Sequence, residues 1–219
     1  MSIRTINAVL TLFTLSLTLP SFAEPLNIPS NVPKYDPPPR GTPKEGRVGA
    51  GTRELTGNQA KYFVLAPLDH AGLTVQAQPT LLWYTQEPGQ YQFELVDTTD
   101  EKVVENGLAK IATPGIQVYK FAERIEPNVI YRWSVRLLKG GVGDSMGWSS
   151  EGGIKRIEGT FPGNLSEESI FRAAEHGLWY DALDSIQRLS TKFPEDQRWS
   201  AMRDGLLQQV GLPGLASKK

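Results

Sequence analysis

Cysteine is absent from the 219 residues, and histidine occurs only twice, at His70 and His176. No cysteine means no disulfide, no thiolate metal site and no acyl-lipid anchor. Two histidines about a hundred residues apart, in neither an H-x-x-x-H nor an H-E-x-x-H spacing, leave little from which to build a zinc site. No metal or cofactor is expected. An excess of positive charge is missing too: 23 Lys+Arg stand against 24 Asp+Glu. Nucleic-acid and anionic-membrane binders need a basic surface to release counterions, so neither partner class fits. Long apolar runs are also lacking. The longest, Ala8 to Leu19, is shorter than the roughly twenty residues of a spanning helix.

That run has another use. Arg4 precedes it, and Pro20-Ser21-Phe22-Ala23 follows with small residues at the two positions a signal peptidase reads. Residues 1–23 are read as a signal peptide cleaved after Ala23. The protein is then expected to be exported, to periplasm or extracellular space, with no stable membrane insertion afterwards. Losing the signal removes Arg4 and no acid, leaving the charge balance near neutral.

Proline dominates the next stretch. Pro25, Pro29, Pro33, Pro37, Pro38, Pro39 and Pro43 deny backbone donors and fix φ, and glycines follow at Gly46, Gly49 and Gly51. Residues 24–60 are expected to be a disordered linker, with a proline-rich docking segment as the sharper alternative.

From residue 61 to 162 the pattern becomes short and alternating. Tyr91, Phe93 and Leu95 alternate with Gln92 and Glu94. Tyr131, Trp133, Val135 and Leu137 alternate with Arg132, Ser134 and Arg136. Thr80 to Tyr84, Val103-Val104, and Ile116 with Val118 read as further strands, separated by turn residues at Glu87-Pro88-Gly89, Asp97 to Asp100 and Thr113-Pro114-Gly115. Short strands without intervening helices predict an antiparallel sandwich. Pro127 four residues before Tyr131 resembles the tyrosine corner of fibronectin type III domains, and Trp83 stands where such domains keep a core tryptophan.

Residues 163–213 switch to a period of 3.6. Ser166 is a candidate N-cap followed by Glu167 and Glu168, with Ile170, Phe171, Ala174 and Leu178 as the buried stripe. Gly177 breaks that helix. A second places Trp179, Ala182, Leu183, Ile186 and Leu189 inward, and a third Trp199, Met202, Leu206 and Val210. Ala173 to Leu183, with Pro194 beyond, resembles one tetratricopeptide unit. One unit is too few for a solenoid, so it is read as a hairpin leaning on the sandwich. Residues 214–219 are expected to be a disordered tail. The fold expected is thus mostly β with C-terminal α: an antiparallel immunoglobulin- or fibronectin-III-like sandwich, a tetratricopeptide-like hairpin and a final helix.

Candidate chemistry is thin. Gly140 to Gly147 fits no phosphate loop, and its Gly143-Asp144-Ser145 lacks the strand-to-helix turn and the partners of an esterase. It reads as a hairpin loop between the last two strands. Glu151 with Glu158, or Glu167 with Glu168, are carboxylate pairs without diagnostic spacing. Trp148, outside any strand alternation, is the one candidate ligand-binding residue, suited to stacking on a sugar ring or to holding its own loop down.

An ordered series of blocks carries a family resemblance. Pro79-Thr80-Leu81-Leu82-Trp83-Tyr84, Phe93-Glu94-Leu95-Val96-Asp97, Tyr131-Arg132-Trp133-Ser134, Gly153-Ile154-Lys155-Arg156-Ile157-Glu158 and Gly177-Leu178-Trp179-Tyr180-Asp181-Ala182-Leu183 are similar to the cyanobacterial "domain of unknown function 928" family. The resemblance spans about residues 62 to 212. It implies an exported protein of a cyanobacterial envelope and brings no catalytic residues with it. The function expected is a non-enzymatic module that binds another protein. The alternative is a module binding cell-wall or extracellular polysaccharide through Trp148, and a hydrolase ranks last.

Overall fold

The structure is a computed structural model that describes residues 31–38, 61–138, 149–161 and 164–215. In chain order the elements are β1 (Tyr62–Val64), β2 (Gly72–Thr74), β3 (Leu81–Thr85), β4 (Gly89–Asp97), β5 (Lys102–Ile111), β6 (Gly115–Tyr119), β7 (Ile130–Leu138), β8 (Ser149–Arg156), α1 (Glu167–Glu175), α2 (Trp179–Lys192) and α3 (Arg198–Gln209). The strands form a three-stranded sheet ordered β1-β3-β6 and a five-stranded sheet ordered β2-β8-β7-β4-β5.

Alternation decides which side chains face inward. On β4 and β7 the predicted apolar sets are buried and the intervening Gln92, Arg132, Ser134 and Arg136 are not. Aromatic rings join the two sheets. Trp83 of β3 is fully buried, with its ring centroid 4.5 Å from Tyr91 and 5.5 Å from Phe93 of β4. Phe93 in turn stacks on Tyr119 of β6 at 3.8 Å. The Tyr131 hydroxyl accepts the Glu126 backbone N–H at 3.2 Å. One expectation needs correcting: the strands are not all antiparallel. β2 runs parallel to β8 because the chain passes from the first sheet to the far edge of the second without a hairpin.

The helices begin as predicted. Ser166 and Ser169 cap α1 reciprocally, each side-chain oxygen accepting the other's backbone N–H at 3.2 Å. Gly177 ends the turn at φ 69°, a conformation that favours glycine. Ile170, Ala174, Leu178 and the whole predicted inner stripe of α2 are buried, whereas Phe171 and Val210 are only half-buried. α2 is bonded to the sheets by its first turn. The Trp179 indole N–H donates to the Leu65 carbonyl at 2.8 Å, and the Tyr180 hydroxyl donates to the Gly153 carbonyl at 2.7 Å.

The ends of the folded part also differ from expectation. Residues 31–38 fall within the segment predicted to be a disordered linker, yet they dock on the helices. Val32 and Tyr35 are buried, the Asp36 N–H donates to Ala174 O at 3.0 Å, and the Gln209 amide brackets the segment from Tyr35 N and Pro33 O. A proline-rich strand needs no ladder of its own, so two apolar side chains and a few borrowed partners suffice to seat it. Leu215 lies within the predicted tail but is buried, its N–H donating to Asp204 Oδ2 at 3.0 Å.

Candidate functional site

The residues singled out by sequence scatter over the molecule. Trp148 and Gly140 to Gly147 lie outside the described residues, between β7 and β8. Glu151 sits on β8 with Arg132 at 3.8 Å, while Glu167 and Glu168 pair with Arg198 and Arg172 on the helix surface. Glu158 is exposed beyond β8. Among the described residues no three His, Asp or Glu side chains gather to hold a metal.

The histidines have separate structural tasks. His176 follows α1 and its Nδ1–H donates to Arg172 O at 2.7 Å, an exposed bond that caps the helix end. His70 is buried, with Nδ1 2.7 Å from Asp69 Oδ1 and Nε2 2.8 Å from the Tyr35 hydroxyl. Nδ1–H donation to Asp69 and Tyr35 O–H donation to Nε2 satisfy all three groups at once. Burial, then the nearby Tyr180 and Asp69, push the Tyr35 phenol up, so it remains a donor.

Two features without a counterpart among those sequence candidates stand apart. The first is a cleft of about 330 Å³ between α2 and the chain leaving β2. Asp181, Asp184 and Arg188 share one face of α2 by their i, i+3 and i+7 spacing, and Thr74 at the end of β2 faces them with Gln76 and Gln78 of the β2–β3 connection. Asp181 is 5 % exposed and accepts the Val75 N–H at 3.2 Å. Burial pushes its carboxyl up to about 6, against the lowering effect of hydrogen bonds from Thr74, Val75 and Gln76.

The second feature is the open side formed by β5 and β6. Among the described residues each ends its sheet, β5 pairing only with β4 and β6 only with β3. Tyr119 of β6 reaches across to Gly107 of β5. The Glu105 carboxylate of β5 accepts the Ala122 and Glu123 N–H groups at 3.1 and 2.8 Å. The two edges are therefore neighbours. Val103 (45 % exposed), Leu108 (50 %) and Val118 (54 %) stand on them, three of the four large apolar side chains left exposed among the described residues.

A signal for each feature was present. Thr74, Gln76, Gln78 and Thr80 are polar at every second position, and Asp181, Asp184 and Arg188 form a polar helical stripe. Only the fold brings these two patterns together. β5 was legible as Val103-Val104 alone, because Asn106 and Gly107 interrupt its alternation.

Comparison with known proteins adds a family and no chemistry. Among curated proteins nothing matches. Among solved structures, a β-glucuronidase of Parabacteroides merdae with glycerol in its active site is similar over 36 % of this chain and 11 % of that one, at 13 % identity and TM-score 0.26. The chain thus spans about a tenth of that enzyme, and a likeness this slight carries no argument about fold or activity. The family model described as "Domain of Unknown Function (DUF928)" matches residues 48–219, most of the chain, and the protein belongs to that family.

Proposed function

We propose that this protein is an exported, non-catalytic interaction module of a cyanobacterial cell envelope, which receives an extended segment of a partner protein along its open β5 edge. The observation that carries the reading is the edge itself. β5 offers ten residues of strand without proline; its one irregularity against β4 lies at Val104, leaving Glu105 to Ile111 in regular register, and Val103 and Leu108 are exposed between Lys102 and Lys110. Edge strands of lone proteins are usually short, bulged or covered, because their free N–H and C=O groups template pairing with another chain. A partner strand added there gains main-chain hydrogen bonds, and Val103 and Leu108, which register opposite Val96 and Gln92 on the same outer face, supply apolar contacts.

Export rests on the tripartite pattern of residues 1–23, and the cyanobacterial host on the family resemblance. The finer architecture is part of the same proposal. The order β1-β3-β6 facing β8-β7-β4-β5, with Tyr131 tied to the Glu126 backbone, supports an immunoglobulin- or fibronectin-like sandwich. The close turn at Gly177 with Ala182 on the second helix supports a single tetratricopeptide-like unit.

Site-specific photo-crosslinking from Asn106 in the native envelope, followed by mass spectrometry, tests the interaction. The expected result is a partner captured by the parent protein and lost in Val103→Lys/Leu108→Lys. Absence of any partner above background, or a partner indifferent to both substitutions, removes the β5 edge from the function. N-terminal sequencing of the envelope form is expected to begin at Glu24.

A further inference from the structure

Asp181 is the most enclosed carboxylate of the α2 cleft, and its surroundings are unbalanced. Its partners are neutral donors: the Val75 N–H and the Thr74 and Gln76 side chains. No cation pairs with it among the described residues. Arg188, the nearest guanidinium on its helix face, turns instead to Asp184 at 3.8 Å. A carboxylate held out of water without a counter-charge is costly, and the cost is relieved when a cation enters beside it. Burial and the charge of Asp184 both act against its ionised form.

The lining says what kind of cation fits. A metal ion prefers several carboxylate or imidazole ligands, and none gather here among the described residues. An ammonium group needs about three acceptors at hydrogen-bond distance. Asp181, Asp184, the Thr80 hydroxyl and the Gln78 amide oxygen line the cleft, the Gln78 nitrogen being engaged with the Ala122 carbonyl. Lys120, in the chain leaving β6, lines the same cleft and makes no ion pair among the described residues. Positive and negative groups are thus offered together. About 330 Å³ lies at the small end of ligand pockets.

We propose that the cleft binds a small amino-acid-like zwitterion, its ammonium group held by Asp181 and Asp184 and its carboxylate by Lys120. The site shares no residue with the β5 edge, so either assignment stands or falls alone.

The test is an amide-resolved NMR titration of the full mature chain at pH 7.5 with four probes: alanine, ethylamine, acetate and N-acetylglucosamine. Alanine is expected to shift the Val75, Gln76 and Asp181 amides saturably, ethylamine to do so more weakly, and the other two not at all. Asp181→Asn is expected to weaken alanine binding about tenfold or more, the usual worth of a hydrogen bond to a charged group. Lowering the pH to 5 has the same direction in the parent and no further effect in Asp181→Asn. Asp184, Arg188 and Lys120 are the other charged groups facing the cleft, and this variant retains them all. Lys120→Ala, an exposed position, is expected to make alanine and ethylamine bind alike, and it decides the matter if Asp181→Asn does not fold. Failure of both ammonium probes to shift these amides at millimolar concentration overturns the proposal, as does saturable binding of N-acetylglucosamine in their place.

Discussion

Trp133 and Tyr180 meet across the join between the five-stranded sheet and α2, the indole N–H donating to the phenol oxygen at 2.9 Å. The same hydroxyl donates to the Gly153 carbonyl at 2.7 Å, and all of it is buried. One oxygen therefore serves a donor on β7 and an acceptor on β8 from the first turn of a helix. Burial pushes the Tyr180 phenol up, which keeps the proton it donates. Tyr180→Phe removes that oxygen at little change in volume and leaves two buried polar groups unpaired. The expected cost is about 2–6 kcal/mol, at roughly 1–3 for each orphaned group. Urea unfolding reads it directly; a loss under about 0.5 kcal/mol contradicts the bridge.

Asp181, the next residue along α2, makes a prediction in pH. Its carboxyl ordinarily titrates near 3.8 and is pushed up to about 6 in the fold, chiefly by burial. The folded state thus holds this proton more tightly than the unfolded state. Stability contributed by the group is full below about 4, falls as pH rises towards 6 and stays lower beyond. An amide in place of the carboxylate keeps an acceptor for the Val75 N–H without the charge. Asp181→Asn is therefore expected to gain on the parent by roughly 2–3 kcal/mol between pH 4 and pH 7.5, since each tenfold tightening of proton binding is worth about 1.36 kcal/mol. Paired urea titrations at the two pH values measure the difference, and equal offsets at both refute the assignment.

These two residues illustrate what was legible and what was not. Trp179 and its apolar stripe were readable as helix core from the 3.6 period, as β4 and β7 were from strict alternation. The hydrogen-bond partners of Trp179, Tyr180 and Asp181 were not, because Leu65, Gly153 and Val75 contribute backbone groups that no side-chain pattern announces. β8 was implied as the strand after the Gly140 to Gly147 loop, but its bounds were hidden for a related reason. Its Ser149-Ser150-Glu151-Gly152-Gly153 opening has little strand propensity. It forms a strand because Gly152 leaves room for Ala66 and Trp133. Residues 31–38 escaped detection because proline content argues for a linker wherever the chain is read without its neighbours.

Gly177 couples that docked segment to the helices. Its φ of 69° disfavours any side chain, and a Cβ there would stand 2.8 Å from the Asp36 carbonyl oxygen. Gly177→Ala is expected to cost about 1–2 kcal/mol from the backbone conformation. The clash falls on the segment 31–38, so its release should precede global unfolding. Lys34 is exposed between the buried Pro33 and Tyr35. Trypsin is expected to cut after Lys34 much faster in Gly177→Ala than in the parent under native conditions. Equal cleavage rates would show that the segment does not depend on this contact.

Adjacent residues of β5 make the sharpest contrast, because register puts them on opposite faces. Gly107 pairs with the inward Phe93, and Leu108 with the outward Gln92. A Cβ on Gly107 would lie 1.6 Å from the Tyr119 hydroxyl. That ring is stacked on Phe93 with 7° between planes, so moving it aside breaks the stack. Gly107→Ala is expected to lose about 1–3 kcal/mol through forced repacking, and part of it should return in Gly107→Ala/Tyr119→Phe. Leu108→Lys replaces a half-exposed side chain on the open face and is expected to change stability by less than about 0.5 kcal/mol. Thermal and urea unfolding of the three variants measure the contrast. If Leu108→Lys destabilised as much as Gly107→Ala, Leu108 would be a packing residue and the β5 edge would lose its claim to an external partner.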